Sequence, residues 1–332
     1  MKLKSFKNII AYGLPIIVLI YIFLTIDLIQ IIETLKNVNI FWFFISFITY
    51  VFFVFITGVR SKVIVRNFSN VLIFFFSNSI GSLARNILPS RSGEISYPLI
   101  WKKYCKVPVA LGSATLITTR IFDFLILMLV YFIGFIFYYQ SMPDFFQKWF
   151  FLLLIGIFIL ILLLILYLPR TRLWEDKIRK SLQLYSSKRN NIFRKILWWL
   201  DIILEDFGKI YSFKLYITVF FISCLIIFLR ILYIYATIRC VGYVLSIEEI
   251  IVMSFLLFWT KMVQTIGNLG TKEAGIAGAL ILFGLAKEEA ISIALSSHLL
   301  QLVPMAILSF ISYIILILFY TKVKKDNTSE II

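Results

Sequence analysis

Two short polar stretches interrupt otherwise apolar sequence and carry the residues best suited to chemistry. The first is Arg85-Asn86-Ile87-Leu88-Pro89-Ser90-Arg91-Ser92-Gly93-Glu94. The second is Gly267-Asn268-Leu269-Gly270-Thr271-Lys272-Glu273-Ala274-Gly275. Each lies between two short apolar runs and upstream of a long apolar segment with polar residues inside it. Those residues are Arg120 and Asp123 in the first case and His298 in the second. The chemistry on offer is anion binding. A guanidinium is a planar fork of donors that matches phosphate oxygens, whereas a lysine is a point charge. A helix restarting near Gly93 would add free backbone N–H groups and the positive end of its dipole. The binding set is therefore Arg85, Asn86, Arg91, Gly93, Glu94, Arg120, Asp123, Asn268, Gly270, Lys272, Glu273 and His298, with Arg230 and Lys261 as secondary members. Arg85, Arg91, Arg120 and Lys272 would hold the anion. Glu94, Glu273, Asp123 and His298 would balance charge or carry a coupled proton.

Plainer readings stand beside these. Arg120 and Asp123 are three residues apart, share a helical face, and equally suit an internal salt bridge. The charges of the two polar stretches would snorkel to water if both were ordinary interfacial loops. A single histidine such as His298 can carry a proton near neutral pH but is better explained by a satisfied polar contact between helices. The recurrence of the stretch favours a site, because paired interruptions in the two halves of a membrane protein point to binding at the repeat interface.

The elements that must position these residues are helices in a bilayer. Apolar residues make up 61% of the 332, and the mean hydropathy is +0.97. A soluble domain of this length has no core large enough for so much Phe, Ile and Leu. Backbone groups in lipid must be satisfied internally, so the fold class is all-α, a polytopic membrane protein. Full spans are expected at Ile9–Ile26, Ile40–Val59, Val107–Tyr139, Trp149–Leu168, Phe213–Ile238 and Ala290–Tyr320. The regions Val71–Trp101 and Ile250–Ala286 are the broken ones.

Basic residues set the orientation. The net charge is +16. Lysines and arginines cluster before the first span, at Arg60, Lys62 and Arg66 after the second, at Lys102–Lys106, along 170–214, and after the last span. All fall on one side if neither broken region crosses. By the positive-inside rule that side is the cytoplasm, both termini included, and the location is the inner membrane. The second broken region is then flanked by Glu248, Glu249, Glu288 and Glu289 on the opposite side. Two re-entrant hairpins entering from opposite faces result, each between two full spans, as an inverted repeat. Repeat one covers about 40–139 and repeat two about 213–320. One transmembrane domain spans 1–325, and residues 326–332 form a tail. A linker over 170–210 carries an amphipathic face through Phe193, Ile196, Leu197, Leu200, Leu204 and Phe207, which suits the membrane surface or the protein's own base.

Several function classes are excluded. The sequence contains no P-loop, Rossmann fingerprint or zinc-protease motif. Cys105, Cys224 and Cys240 form neither a disulfide framework nor a metal-ligand pattern. No cofactor is implied, and the positive charge belongs to membrane loops and not to nucleic-acid binding.

The order Asn86…Pro89…Gly93-Glu94, Arg120…Asp123, Gly267…Gly270-Thr271-Lys272-Glu273, His298…Pro304 resembles the flippase-like transmembrane region of lysylphosphatidylglycerol synthases. The resemblance covers nearly the whole chain. It departs at Val263, where proline is expected, at Asn268 for a glycine, and at Lys272 for an arginine. The resemblance implies translocation of an anionic or aminoacylated phospholipid, or of a polyprenyl-phosphate lipid, without the soluble acyltransferase domain and without enzyme activity. A lipid-modifying enzyme is an implied partner. Two other readings remain: a membrane-embedded transferase or phosphatase acting on a lipid-linked substrate, and a non-catalytic membrane partner of a soluble enzyme.

Overall fold

The computed structural model describes residues 33, 35–66, 70–88, 92–138, 156, 159, 213–260, 265 and 268–329. Eight helices run through them: α1 Ile40–Val65, α2 Val71–Ile87, α3 Ser92–Cys105, α4 Val109–Tyr138, α5 Phe213–Cys240, α6 Ile247–Thr260, α7 Thr271–Leu282 and α8 Lys287–Ser329. Helix starts are written in the sequence. The Asn39 side chain accepts from the backbone of Phe41 and Trp42, and Asn70 accepts from Leu72. Each supplies an acceptor to N–H groups that have no intrahelical partner.

Four helices are long and apolar enough to cross a bilayer, within Ile40–Val65, Val109–Gly134, Lys214–Cys240 and Lys287–Leu318. These correspond to four of the six expected spans, and the chain is an integral membrane protein. Their outer faces expose Phe41, Phe221, Phe310 and Leu318, as helices surrounded by hydrocarbon do. The expected spans Ile9–Ile26 and Trp149–Leu168, except Gly156 and Ile159, lie outside the described residues, as does the 170–210 linker.

The broken regions are two helices each, as the interruptions predicted. α2 and α3 pack antiparallel, with Phe74 against Trp101 and Ser82 bonded to Tyr97 at 3.1 Å. The two helices approach closely because Gly93 lies directly on α2. A Cβ there would sit 2.4 Å from Arg85 Cα. α6 and α7 pair in the same way. Gly270 ends the connection with a φ of +83°, a left-handed conformation that glycine adopts without strain.

The packing repeats. α1 lies on α5 along their length, with Ser46 bonded to Thr237 at 3.0 Å. Exchanging α1 with α5, α2 with α6, α3 with α7 and α4 with α8 maps each substantial helix pairing onto another. Thus α2 packs on α8 as α6 packs on α4, and α1 on α8 as α5 on α4. Serine hydroxyls stitch the α2–α8 seam: Ser309 donates to the Ser79 carbonyl at 2.8 Å. Small hydroxyl residues let helices approach closely where lipid gives no hydrophobic drive to associate.

Candidate functional site

Where the two hairpins meet, the chain encloses a cavity of about 420 Å³ to which all eight helices contribute. The breaks touch. Asn268 donates from Nδ2 to Asn86 Oδ1 at 2.6 Å, across 182 residues of sequence. Asn86 also reaches Met305 of α8 and the Ser82 carbonyl. The tip of each broken region thus helps to build the other.

Charged groups concentrate in the cavity wall. Arg85, Arg120, Arg230 and Lys272 face Glu94 and Asp123 there. Asp123 is the hub. Arg60 donates to it at 2.5 Å, and Arg120 and Arg230 each approach it at 3.7 Å. Three helices, α1, α4 and α5, are tied to one carboxylate. The two arms of this network differ in character. The Arg60 and Asp123 side chains are 4% and 7% exposed, whereas Arg120 and Glu94 are 38% and 31% exposed. The inner arm is therefore structural. The outer arm, Arg120 held to Glu94 at 3.0 Å, stands where a ligand can reach it. Arg230 is steadied by the Phe53 ring, 5.7 Å from its guanidinium carbon, a cation–π arrangement.

The structure thus brings Arg85, Asn86, Glu94, Arg120, Asp123, Arg230, Asn268 and Lys272 to one cavity. Four other expected members do not line it. Gly93 is a packing contact, and Gly270 begins α7. Glu273 caps that helix: Oε2 accepts from the Gly270 N–H at 2.7 Å. Its other oxygen meets His298 Nδ1 at 2.6 Å, so carboxylate and imidazole brace the second break onto α8 from behind the wall. Both were expected in the binding set, and the structure places them outside the cavity lining. Arg91 and Lys261 lie outside the described residues.

Arg60 needs a larger correction. Its neighbours Lys62 and Arg66 suggest a loop after the second span. Yet α1 continues to Val65 and carries Arg60 into the interior, bonded to Asp123 and, at 2.8 Å, to Ser223. Asp123 consequently pairs most closely with Arg60 and not with Arg120. A signal was present: Ser46, Thr49 and Ser61 make a polar stripe along α1, and Arg60 lies beside it. Tyr50, Tyr233 and Gln301, also in the cavity wall, carry no charge to single them out. They form a polar ledge in which Tyr233 donates to the Gln301 carbonyl at 3.0 Å.

The chain is thus a bundle of two broken helix pairs among long apolar helices, with a basic cavity where the pairs meet. The family described as the lysylphosphatidylglycerol synthase TM region matches residues 8–309. The chain belongs to this family. Its members are membrane proteins linked to lipid handling, and the match includes both broken regions and all the charged residues of the cavity. No curated protein and no solved structure matches the chain.

Proposed function

We propose that the chain is a lipid flippase, moving an anionic or aminoacylated phospholipid, or a polyprenyl-phosphate lipid, between leaflets. The observation that carries this reading is the cavity where the two breaks meet, lined by four cations and two carboxylates inside a membrane protein. A charge within a bilayer costs ~2.5–3.5 kcal/mol on insertion scales, so this many together are explained by pairing, hydration or function. The network with Asp123 and Glu94 explains part of the set. Arg85 and Lys272, which have no carboxylate within ion-pair distance among the described residues, suit a headgroup phosphate. The acyl chains would stay in the bilayer while the head passes through the cavity.

The exchange of helix pairings between the two halves supports an inverted repeat, and the Asn86–Asn268 contact supports re-entrant hairpins meeting tip to tip. Alternating access would follow from parting the hairpins on one side at a time. Positive-inside charge favours the inner membrane with cytoplasmic termini. A catalytic role is disfavoured because Asp123, the best-placed base, is shared by three arginines. Its oxygens are occupied by guanidinium donors and are not aimed at a substrate proton.

Purified protein in liposomes should exchange a labelled anionic phospholipid between leaflets. Arg120→Ala and Glu94→Gln should abolish exchange with insertion and folding retained. Wild-type rates in both variants would remove the cavity from the transport route.

A further inference from the structure

The charges at the cavity do not balance, and the imbalance identifies a class of headgroup. Arg85, Arg120, Arg230 and Lys272 line it against Glu94 and Asp123, and Arg60 adds a further cation behind the wall. Both carboxylates already have arginine partners. Glu94 holds Arg120, and Asp123 is divided among three guanidiniums. Lys272 is 9% exposed and lines the cavity without a carboxylate at ion-pair distance among the described residues. Its nearest negative charge is the adjacent Glu273, whose oxygens are engaged by the Gly270 N–H and His298, so a bound anion in the cavity would stabilise the buried cation. The neutral groups point the same way. Gln301 is 6% exposed, and its Nε2 donor, in the cavity wall, has no hydrogen-bond partner among the described residues. Tyr50, also in the wall, has a hydroxyl without a hydrogen-bond partner among the described residues, and it too can donate to an anion.

We infer that the headgroup is a phosphomonoester, a compact dianion presented on a lipid. This rests on the flippase reading only in taking the ligand to be a lipid. A phosphomonoester carries about −1.5 to −2 charges at pH 7, and its oxygens can meet Arg85, Lys272 and Arg120 together. A phosphodiester brings one negative charge and leaves part of the excess uncompensated. An aminoacyl ester brings ammonium groups that need acceptors, and both carboxylates of the wall are engaged by arginine. The site therefore selects against the aminoacylated lipid named in the family's description, through uncompensated like charge.

The test separates charge from size. The full-length protein in detergent is titrated with short-chain phosphatidic acid, with its methyl diester phosphatidylmethanol, with short-chain lysylphosphatidylglycerol, and with inorganic phosphate. Phosphatidic acid should bind about tenfold or more tighter than phosphatidylmethanol, since the two differ by one charge in a site of reduced dielectric. Lysylphosphatidylglycerol should bind weakest of the three lipids. Arg85→Gln and Lys272→Gln should each erase the preference for phosphatidic acid. If either variant fails to fold, the wild-type series decides alone. Equal binding of phosphatidic acid and phosphatidylmethanol, or tighter binding of lysylphosphatidylglycerol, overturns the assignment. Inorganic phosphate binding as tightly as phosphatidic acid overturns it too, making the ligand a soluble phosphate. Leaflet exchange is scored separately. Exchange without preference sinks the headgroup assignment and leaves transport standing, whereas preference without exchange does the reverse.

Discussion

Asp123→Ala is the perturbation that most sharply tests the division of the ion network into a buried inner arm and an accessible outer one. In the wild type the carboxylate neutralises Arg60, whose side chain is 4% exposed and which has no other carboxylate partner among the described residues. The substitution leaves that guanidinium buried, with only Ser223 to bond it, and removes the one group holding Arg120 and Arg230 near it. Breaking a buried pair from one side costs ~3–5 kcal/mol. Glu94→Ala breaks the outer pair, 38% and 31% exposed, for which the expected cost is ~0–1 kcal/mol. The two variants should therefore differ by about 2 kcal/mol or more. Equilibrium unfolding in mixed micelles of a mild detergent and dodecyl sulfate measures the difference. A third variant, Arg60→Met with Asp123→Leu, removes both buried charges and should recover part of the loss. Recovery stays incomplete because Arg120 and Arg230 still lose their shared carboxylate. If Asp123→Ala costs no more than Glu94→Ala, the Arg60–Asp123 pair is hydrated and the inner arm has no special structural role.

Two further outcomes follow from the hairpins. Gly93→Ala places a Cβ 2.4 Å from Arg85 Cα and 2.8 Å from the Ala84 carbonyl oxygen. Overpacking of backbone against backbone should cost ~1–3 kcal/mol in the same unfolding assay. Gly278→Ala in α7 meets nothing within 4 Å and should be neutral or stabilising by up to ~1 kcal/mol. Equal effects would mean that α3 does not rest on α2 at Gly93. The Asn86–Asn268 contact predicts a cross-link. Asn86→Cys with Asn268→Cys, in a background where Cys105, Cys224 and Cys240 are serine, should oxidise readily and stop leaflet exchange until reduced. Unchanged exchange in the oxidised protein would show that the breaks need not part during transport.

Much of this arrangement is written locally. The uncharged apolar runs could only be helices in lipid, since backbone polar groups there have no other partner. The interruptions at Arg85–Glu94 and Gly267–Gly275 announce themselves through charge and glycine; α2 stops and α3 starts within the first, and α7 starts within the second. Arg120 and Asp123 were legible because charge deep inside an apolar run demands an explanation. Arg60 was not, because it stands at the end of a span beside Lys62, where a basic residue is ordinary. Tyr50 and Gln301 were invisible for a different reason. Uncharged residues on a membrane helix signal nothing until their neighbours are known.

From its residues alone the protein is helical, lies in a membrane, and has two polar breaks in place of two clean spans. Those properties depend on composition and on neighbours a few positions away, which sequence contains directly. The tertiary structure decided which cation meets which carboxylate. It gave Asp123 to Arg60, Glu94 to Arg120, and Glu273 to His298 as a brace behind the wall. One residue along a helix turns a side chain by about 100°, so partnership between helices depends on rotation and crossing that no single segment encodes.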